Sequence, residues 1–301
     1  MQGLGDVYTF SDTKDMGRLR PLRDMNILWI RLHYQIDRPF LEGAPNLKII
    51  VSPTTGLDHI DLGECRKRGI EVLSLKGETP FLKDIPATAE HTWALILSLI
   101  RRVPWAHDDV VNRRRWDRMA YRGHDLKGKV LGIVGYGRVG EQVGHIGEAF
   151  GMSLAIHDVK YGTTSLDAVL RHADIVSLHV PLNEMTAGMI ARERFALMKR
   201  NALLINTSRG EIIDEAALLT ALKTDGIAGV ALDVLVGERN GGALTNNPLV
   251  DYAATHENLL LTPHLGGCTV ESMARAEEFM AEKLTKYLQG RPDLCPTKSS
   301  A

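Results

Sequence analysis

Gly128-Lys-Val-Leu-Gly-Ile-Val-Gly135-Tyr136-Gly137-Arg138-Val139-Gly140-Glu-Gln-Val-Gly-His-Ile-Gly-Glu-Ala-Phe150 is the stretch that decides the fold. Its first part is an apolar run of strand length, and its last part has the spacing of a helix with one apolar face. Between them stands G-x-G-x-x-G, a pattern that carries weight only in such a strand–turn–helix setting. Each glycine meets its own steric need. Gly135 permits the tight turn, Gly137 lets backbone approach a pyrophosphate, and Gly140 brings helix and strand into close contact. Tyr136, Arg138 and Val139 fill out the turn, and the helix N-terminus offers unpaired N–H groups and a positive dipole end to phosphates. A glycine-rich turn with no ligand is the plainer reading of the same residues.

Asp158 strengthens the case for a ligand. It closes the next expected strand, residues 153–157, where a carboxylate can accept hydrogen bonds from the adenosine ribose and repel a 2′-phosphate. That favours NAD over NADP. Lys160 pulls the other way, since a nearby cation would tolerate phosphate, and Asp158 also suits an ordinary strand-end turn.

Working outward, the expected strands are 129–134, 153–157, 174–178, 202–206, 227–232 and 258–261, alternating with helices at 138–150, 165–172, 190–198 and 214–224. Upstream, residues 26–31, 47–51 and 70–75 read as further short buried strands, with the helix-compatible stretch 58–68 between the last two. This rhythm predicts α/β architecture with parallel sheets. At 301 residues the chain exceeds what one core usually serves. The expected division is a substrate domain of residues 1–86 with 268–301, closed by an amphipathic helix at 270–289, and a dinucleotide domain of residues 87–267. A long helix over 88–116, kinked at Pro104 and apolar on most sides around 93–100, calls for burial in the core or against a second copy. It predicts a homodimer.

Bulk properties exclude other classes. A net charge of −1 gives no support to a nucleic-acid or anionic-membrane partner, and the short run Arg113–Arg115 reads as a solvated helix face. The three cysteines are too few and too far apart for a disulfide framework or a zinc site. No H-E-x-x-H points to a metal. With neither a signal-peptide pattern nor a span-length apolar run, the chain reads as cytoplasmic.

Three segments then bring chemistry. Arg209 follows the strand at 202–206, Glu238 lies beyond Asp233 after the strand at 227–232, and His264 follows the strand at 258–261. In an open α/β sheet, the carboxyl ends of the strands line the ligand crevice. Reducing a 2-keto acid needs a cation for its carboxylate and a proton for the developing alkoxide. Arg209 can grip a carboxylate bidentately, His264 can exchange a proton near neutrality, and Glu238 can accept from the imidazole and fix its orientation. Taken singly, the three also suit a surface ion pair, a solvated loop and a capped turn.

The segments SPTTGLDHIDL, ATAEHTWALILSLIRR, GKVLGIVGYGRVG, ADIVSLHVPLNEMTAGMI, NALLINTSRGEIIDEAALLTALK, AGVALDV and NLLLTPHLGG together resemble the D-isomer-specific 2-hydroxyacid dehydrogenase family from about residue 45 to 289. The resemblance implies two Rossmann-like domains around a cleft and Arg209, Glu238 and His264 as the catalytic residues. It implies that Asp233 contacts the nicotinamide carboxamide and that His179, Pro181, Thr186, Thr207 and Gly267 lie beside NAD. It further implies that backbone at Thr55, Gly56 and Leu57 holds the substrate carboxylate. Arg31 matches an arginine that faces phosphate in members acting on phosphoglycerate, but Ser52 stands where those have a second. Lys76 is a candidate contact for another anionic group, and a solvated loop lysine is its plain reading. Two departures stand out. Val236-Gly237-Glu238-Arg239-Asn240 replaces the usual Glu-Glu-Pro, and family members begin with one more strand and helix than the residues before 26 supply. Some members are NAD-sensing corepressors that retain the same triad, so an NAD-binding protein without turnover is the competing function.

Overall fold

The computed structural model describes residues 20–32, 34–161, 164–238 and 245–291. Arg239, Asn240, Cys295 and both termini lie outside them. The chain divides into two compact units, one of Met1–Leu82 with Val270–Ala301 and one of Lys83–Thr269.

The smaller unit contains a parallel sheet of β1 (Ile27–Trp29), β2 (Ile49–Ser52) and β3 (Glu71–Ser74), in that spatial order. Alternate residues of β2 serve opposite faces, the period of two that a pleated strand imposes. Ile50 joins Leu28, Leu41, Cys65 and Ile70 on one side. Ile49 and Val51 meet Met280, Leu284 and Leu288 of the closing helix Val270–Gln289 on the other. Phe81 and Phe279 stack there at 4.2 Å between ring centroids.

The larger unit is a six-stranded parallel sheet of β4 (Val130–Val134), β5 (Ser153–His157), β6 (Ile175–Leu178), β7 (Leu203–Asn206), β8 (Gly229–Leu232) and β9 (Leu259–Leu261). Its order is β5-β4-β6-β7-β8-β9. Both faces are covered, which explains the near-continuous apolar runs. Leu131, Ile133, Ile175, Ile205 and Ala231 pack on one face with Trp93, Ile96 and Val143 of helices Ala87–Ile100 and Arg138–Ala149. Val134, Val176, Leu204, Val230 and Leu232 face helices Leu166–His172, Glu215–Lys223 and Pro248–Ala253. Strand order reverses between β4 and β6, so the ligand crevice of this sheet opens at their carboxyl ends.

Three expectations are corrected. The helix expected over 88–116 is two helices, Ala87–Ile100 and Val103–Asn112, broken at Arg102 in the left-handed region with φ 55°. Pro104 sits in the first turn of the second helix, where its missing N–H costs nothing. Trp93, Leu95, Ile96, Leu99 and Ile100 are buried in the chain's own core, with Leu97 half-buried against it. The run Arg113–Arg115 is exposed to solvent as expected, but it follows the end of the helix at Asn112 instead of lying along a helix face. Arg113 and Arg115 both pair with Asp109, which is 1% exposed. Finally, the helix expected over 190–198 is confined to Arg192–Phe195. Beyond it Leu197 and Met198 N–H groups donate three residues back, tightening the chain into a turn.

Candidate active site

The glycine turn shows the geometry its spacing predicts. Gly135 has φ 92°, and a Cβ there would lie 2.5 Å from the carbonyl oxygen of His179, because β6 leaves the sheet against it. At Gly140 a Cβ would fall 2.1 Å from the Gly135 oxygen, so only glycine lets the helix start this close to β4. Nothing lies within 4 Å of a Cβ built on Gly137. That open space is where a phosphate can approach backbone. Helices Leu166–His172 and Glu215–Lys223 are capped by the side chains of Ser165 and Asp214. The helix beginning at Arg138 has Gly137 as its N-cap and no side-chain cap, so its first N–H groups suit a pyrophosphate. The residues therefore fit a dinucleotide.

Asp158 stands at the end of β5 and ties the turn together. Its Oδ2 accepts from Tyr136 N at 2.8 Å, and its Oδ1 accepts from Lys160 N at 2.7 Å and Tyr161 N at 3.1 Å. Burial opposes ionisation, but the three backbone donors together prevail and hold its pKa below the usual carboxylate range. Across the crevice, burial drives the His179 pKa down to about 3. His179 therefore brings no positive charge, and its Nε2 lies 2.8 Å from Ser177 Oγ. The Thr186 hydroxyl donates to Pro181 O at 2.6 Å and closes the exposed 181–186 loop. Thr207 is buried, with its hydroxyl 3.0 Å from Thr92 Oγ1.

Arg209, Glu238 and His264 follow β7, β8 and β9, on the same edge of the sheet as the glycine turn. Asn206, wholly buried, accepts from Ser208 N and donates to Arg209 O, folding the segment so that Arg209 leaves it in extended conformation. At Gly210 a Cβ would lie 2.3 Å from the carbonyl carbon of Leu235, so the Arg209 loop passes directly against the Glu238 loop. Glu215 Oε1 accepts from Val236 N at 2.8 Å beside this contact. Glu238 Oε2 accepts from Leu235 N at 3.1 Å, which aims Oε1 at His264 Nδ1, 2.5 Å away.

His264 itself has φ 56°. A left-handed histidine costs of order 1–3 kcal/mol and persists only where its surroundings over-determine it. Here its N–H donates to Asp233 O at 2.9 Å. The Asp233 carboxylate accepts from Leu265 N, Gly266 N and the Thr262 hydroxyl. Burial opposes its charge, but these donors and His91 prevail and depress its pKa. The side chain of Asp233, expected on the nicotinamide, is 0% exposed and holds the turn that carries His264. Gly267 is exposed at the end of that turn.

In the smaller unit, Arg31, Thr55–Leu57 and Lys76 all follow the carboxyl ends of strands. A chain of hydrogen bonds shapes the middle segment. Thr54 Oγ1 donates to Gly56 O at 2.9 Å, and Ser52 Oγ lies 2.8 Å from Thr54 Oγ1 and 3.3 Å from His59 Nε2. Lys76 is exposed. The guanidinium of Arg31, expected to face a phosphate, is paired with Glu277, which also accepts from Trp29 Nε1 at 2.6 Å.

A phosphate-ready glycine turn at the switch point, with an arginine and a carboxylate-bound histidine on the same sheet edge, defines a dinucleotide-dependent dehydrogenase. Comparison with known proteins narrows the class. Residues 93–266 match the family described as D-isomer specific 2-hydroxyacid dehydrogenase, NAD binding domain. A glyoxylate reductase of Thermofilum pendens is 38% identical over 90% of this chain and 81% of its own length. A D-3-phosphoglycerate dehydrogenase of Bacillus subtilis is 36% identical over 90% of this chain, which spans only 51% of that longer protein. The crystal structure of D-lactate dehydrogenase from Aquifex aeolicus, complexed with NAD and lactic acid, superposes with a TM-score of 0.79 at 31% identity, covering 91% of this chain and 86% of that one. The chain belongs to the D-isomer specific 2-hydroxyacid dehydrogenase family. It is an NAD-dependent oxidoreductase acting between 2-hydroxy and 2-keto acids.

Proposed function

We propose that the protein interconverts a short, unphosphorylated 2-keto acid and its 2-hydroxy acid, with Arg209, Glu238 and His264 as the working triad. One observation carries this reading: the 2.5 Å hydrogen bond between His264 Nδ1 and Glu238 Oε1. A carboxylate only accepts, so Nδ1 bears the hydrogen and Nε2 is left as the atom that gives up or takes the mobile proton. NAD(H) supplies or accepts the hydride when bound. Arg209 grips the substrate carboxylate, and His264 protonates the developing alkoxide in reduction or takes the hydroxyl proton in oxidation. The turn at Gly135–Gly140 holds the pyrophosphate and Asp158 faces the adenosine ribose, with His179, Pro181, Thr186, Thr207 and Gly267 along the same edge. The smaller unit serves as the substrate domain, with the backbone of Thr55, Gly56 and Leu57 and the exposed Lys76 as its substrate-binding residues.

The substrate reading rests on two positions in the smaller unit. Arg31 is neutralised by Glu277, and Ser52 is buried where a second phosphate-facing arginine would stand. NADH oxidation should therefore be fastest, by kcat/KM, with glyoxylate, pyruvate or hydroxypyruvate rather than 3-phosphohydroxypyruvate. A preference for the phosphorylated acid would overturn the assignment, and no turnover with any of them would favour a binding protein.

Cofactor choice gives a second test. The ionised Asp158 should make NAD(H) bind more tightly than NADP(H). Asp158→Ala should narrow that gap while weakening both, since it also removes the Tyr136 anchor. Fluorescence titration measures this, and equal affinities in the unmutated protein would remove the role given to Asp158.

We also assign a homodimer. With most of the apolar side chains of 93–100 buried internally, the stretch that follows still exposes Val103, Val110, Val111, Trp116 and Met119, with Trp116 90% exposed. Sedimentation at micromolar concentration should give twice the chain mass, and a monomer would refute it. No described helix is long and apolar enough to cross a membrane. Cys65 and Cys268 are free thiols, in keeping with a reducing compartment and a cytoplasmic location, which cell fractionation would check.

A further inference from the structure

His91 lies outside the residues so far given a role, on helix Ala87–Ile100, with its side chain 16% exposed. Its Nε2 is 3.0 Å from Asp233 Oδ1 and 3.1 Å from Thr262 Oγ1. The proton inventory fixes which tautomer makes these contacts. Asp233 can only accept, and the single hydroxyl proton of Thr262 is already directed at Asp233 Oδ1, 2.6 Å away. The hydrogen between His91 and this pair must therefore sit on Nε2. With Leu265 N at 2.8 Å on Oδ1 and Gly266 N at 2.8 Å on Oδ2, four donors converge on one buried carboxylate. Two of those donors are the N–H groups of the residues directly after His264. The third is the side chain of the residue two before it.

We infer that His91 is a positioning residue for His264, acting through Asp233 to lock the 262–266 turn. This rests on the proton-transfer reading of His264. The physical reason is the strain at His264, whose left-handed backbone keeps its shape only while the turn around it is fully tied. Removing the His91 donor leaves a buried carboxylate one partner short. The carboxylate then recovers partners by tilting, and the turn it holds tilts with it. The imidazole moves relative to Glu238 and to the point where the proton is delivered. Misplacement of about 1 Å is enough to cost on the order of 100-fold in rate.

The test compares His91→Leu with His91→Gln, whose amide N–H reaches about where the imidazole Nε2–H does. Keto-acid reduction by His91→Leu should fall about 10- to 100-fold in kcat, with substrate KM changed far less. His91→Gln should recover most of the loss. The ring resonance of His264, assigned by its disappearance in His264→Gln, should shift in His91→Leu and return in His91→Gln. If His91→Leu fails to fold, His91→Asn, polar but too short to reach Asp233, takes its place. An unshifted His264 resonance overturns the inference whatever the rate does. So does a loss confined to melting temperature with kcat intact, or a folded His91→Gln that recovers nothing. If His264→Gln itself keeps full turnover, the proton-transfer reading fails instead, and the resonance still decides whether His91 positions the ring.

Discussion

Replacing His264 by alanine is expected to lower the rate of keto-acid reduction by about 10²- to 10⁴-fold, the usual size of a lost general acid, while leaving NADH binding nearly unchanged. The two effects separate because of where the residue stands. The glycine turn and Asp158, which we assign to the dinucleotide, follow β4 and β5, whereas His264 follows β9. Loss of the ring removes the proton donor without touching the phosphate-binding backbone. Glu238→Gln should produce a smaller loss in the same direction. The amide can still present an oxygen to Nδ1, but a neutral acceptor makes a weaker hydrogen bond than a carboxylate and holds the ring less firmly. Single-turnover rates and NADH titrations for both variants test the pair. If His264→Ala retained near-normal turnover, proton transfer would have to come from another group, and the triad assignment would fall.

Arg209→Lys should be the other severe change, lowering kcat/KM by about 10²- to 10³-fold, in the range for a lost electrostatic contact at a reacting centre. Charge is conserved, so the loss measures geometry. A guanidinium presents a planar fork that matches a carboxylate, and an ammonium is a point charge. One N–H of Arg209 donates to Ser208 O at 2.6 Å, which helps fix the direction of the guanidinium. A lysine would inherit the extended backbone of this position but not that tether. Steady-state kinetics in both directions measures the effect, which should fall on KM for the acid as well as on kcat. A lysine variant with unchanged KM would mean that Arg209 does not hold the substrate carboxylate.

Much of the site was legible in the sequence because its parts are read locally. The glycine spacing, the strand before it and the helix after it specify one turn. Arg209, Glu238 and His264 can each be placed by the apolar strand that precedes them. Glu238 was readable even through the altered loop, since five residues after Asp233 still bring it to His264. What escaped was whatever depends on distant partners. Pairing of Arg31 with Glu277 joins residues far apart in sequence, so no local pattern announces it. His91 stands in a quoted motif on an apolar helix, where nothing local distinguishes it from a core histidine. Asp233 showed as a site residue, but its burial, and hence its work on the turn, came only with the packing. The break at Arg102 was hidden behind Pro104, the louder local signal.

The close pass at Gly210 binds two roles into one mechanical part. The Arg209 loop and the Glu238 loop touch backbone to backbone, with no side chain between them to absorb a displacement. A methyl group introduced there would push on both at once, so Arg209 and Glu238, in the roles proposed for them, would go out of register together. Activity lost by changes in either loop will therefore not sum. Each loop is part of the other's foundation, and evolution of a new substrate preference has to move the two as a unit or find its freedom in the smaller unit instead.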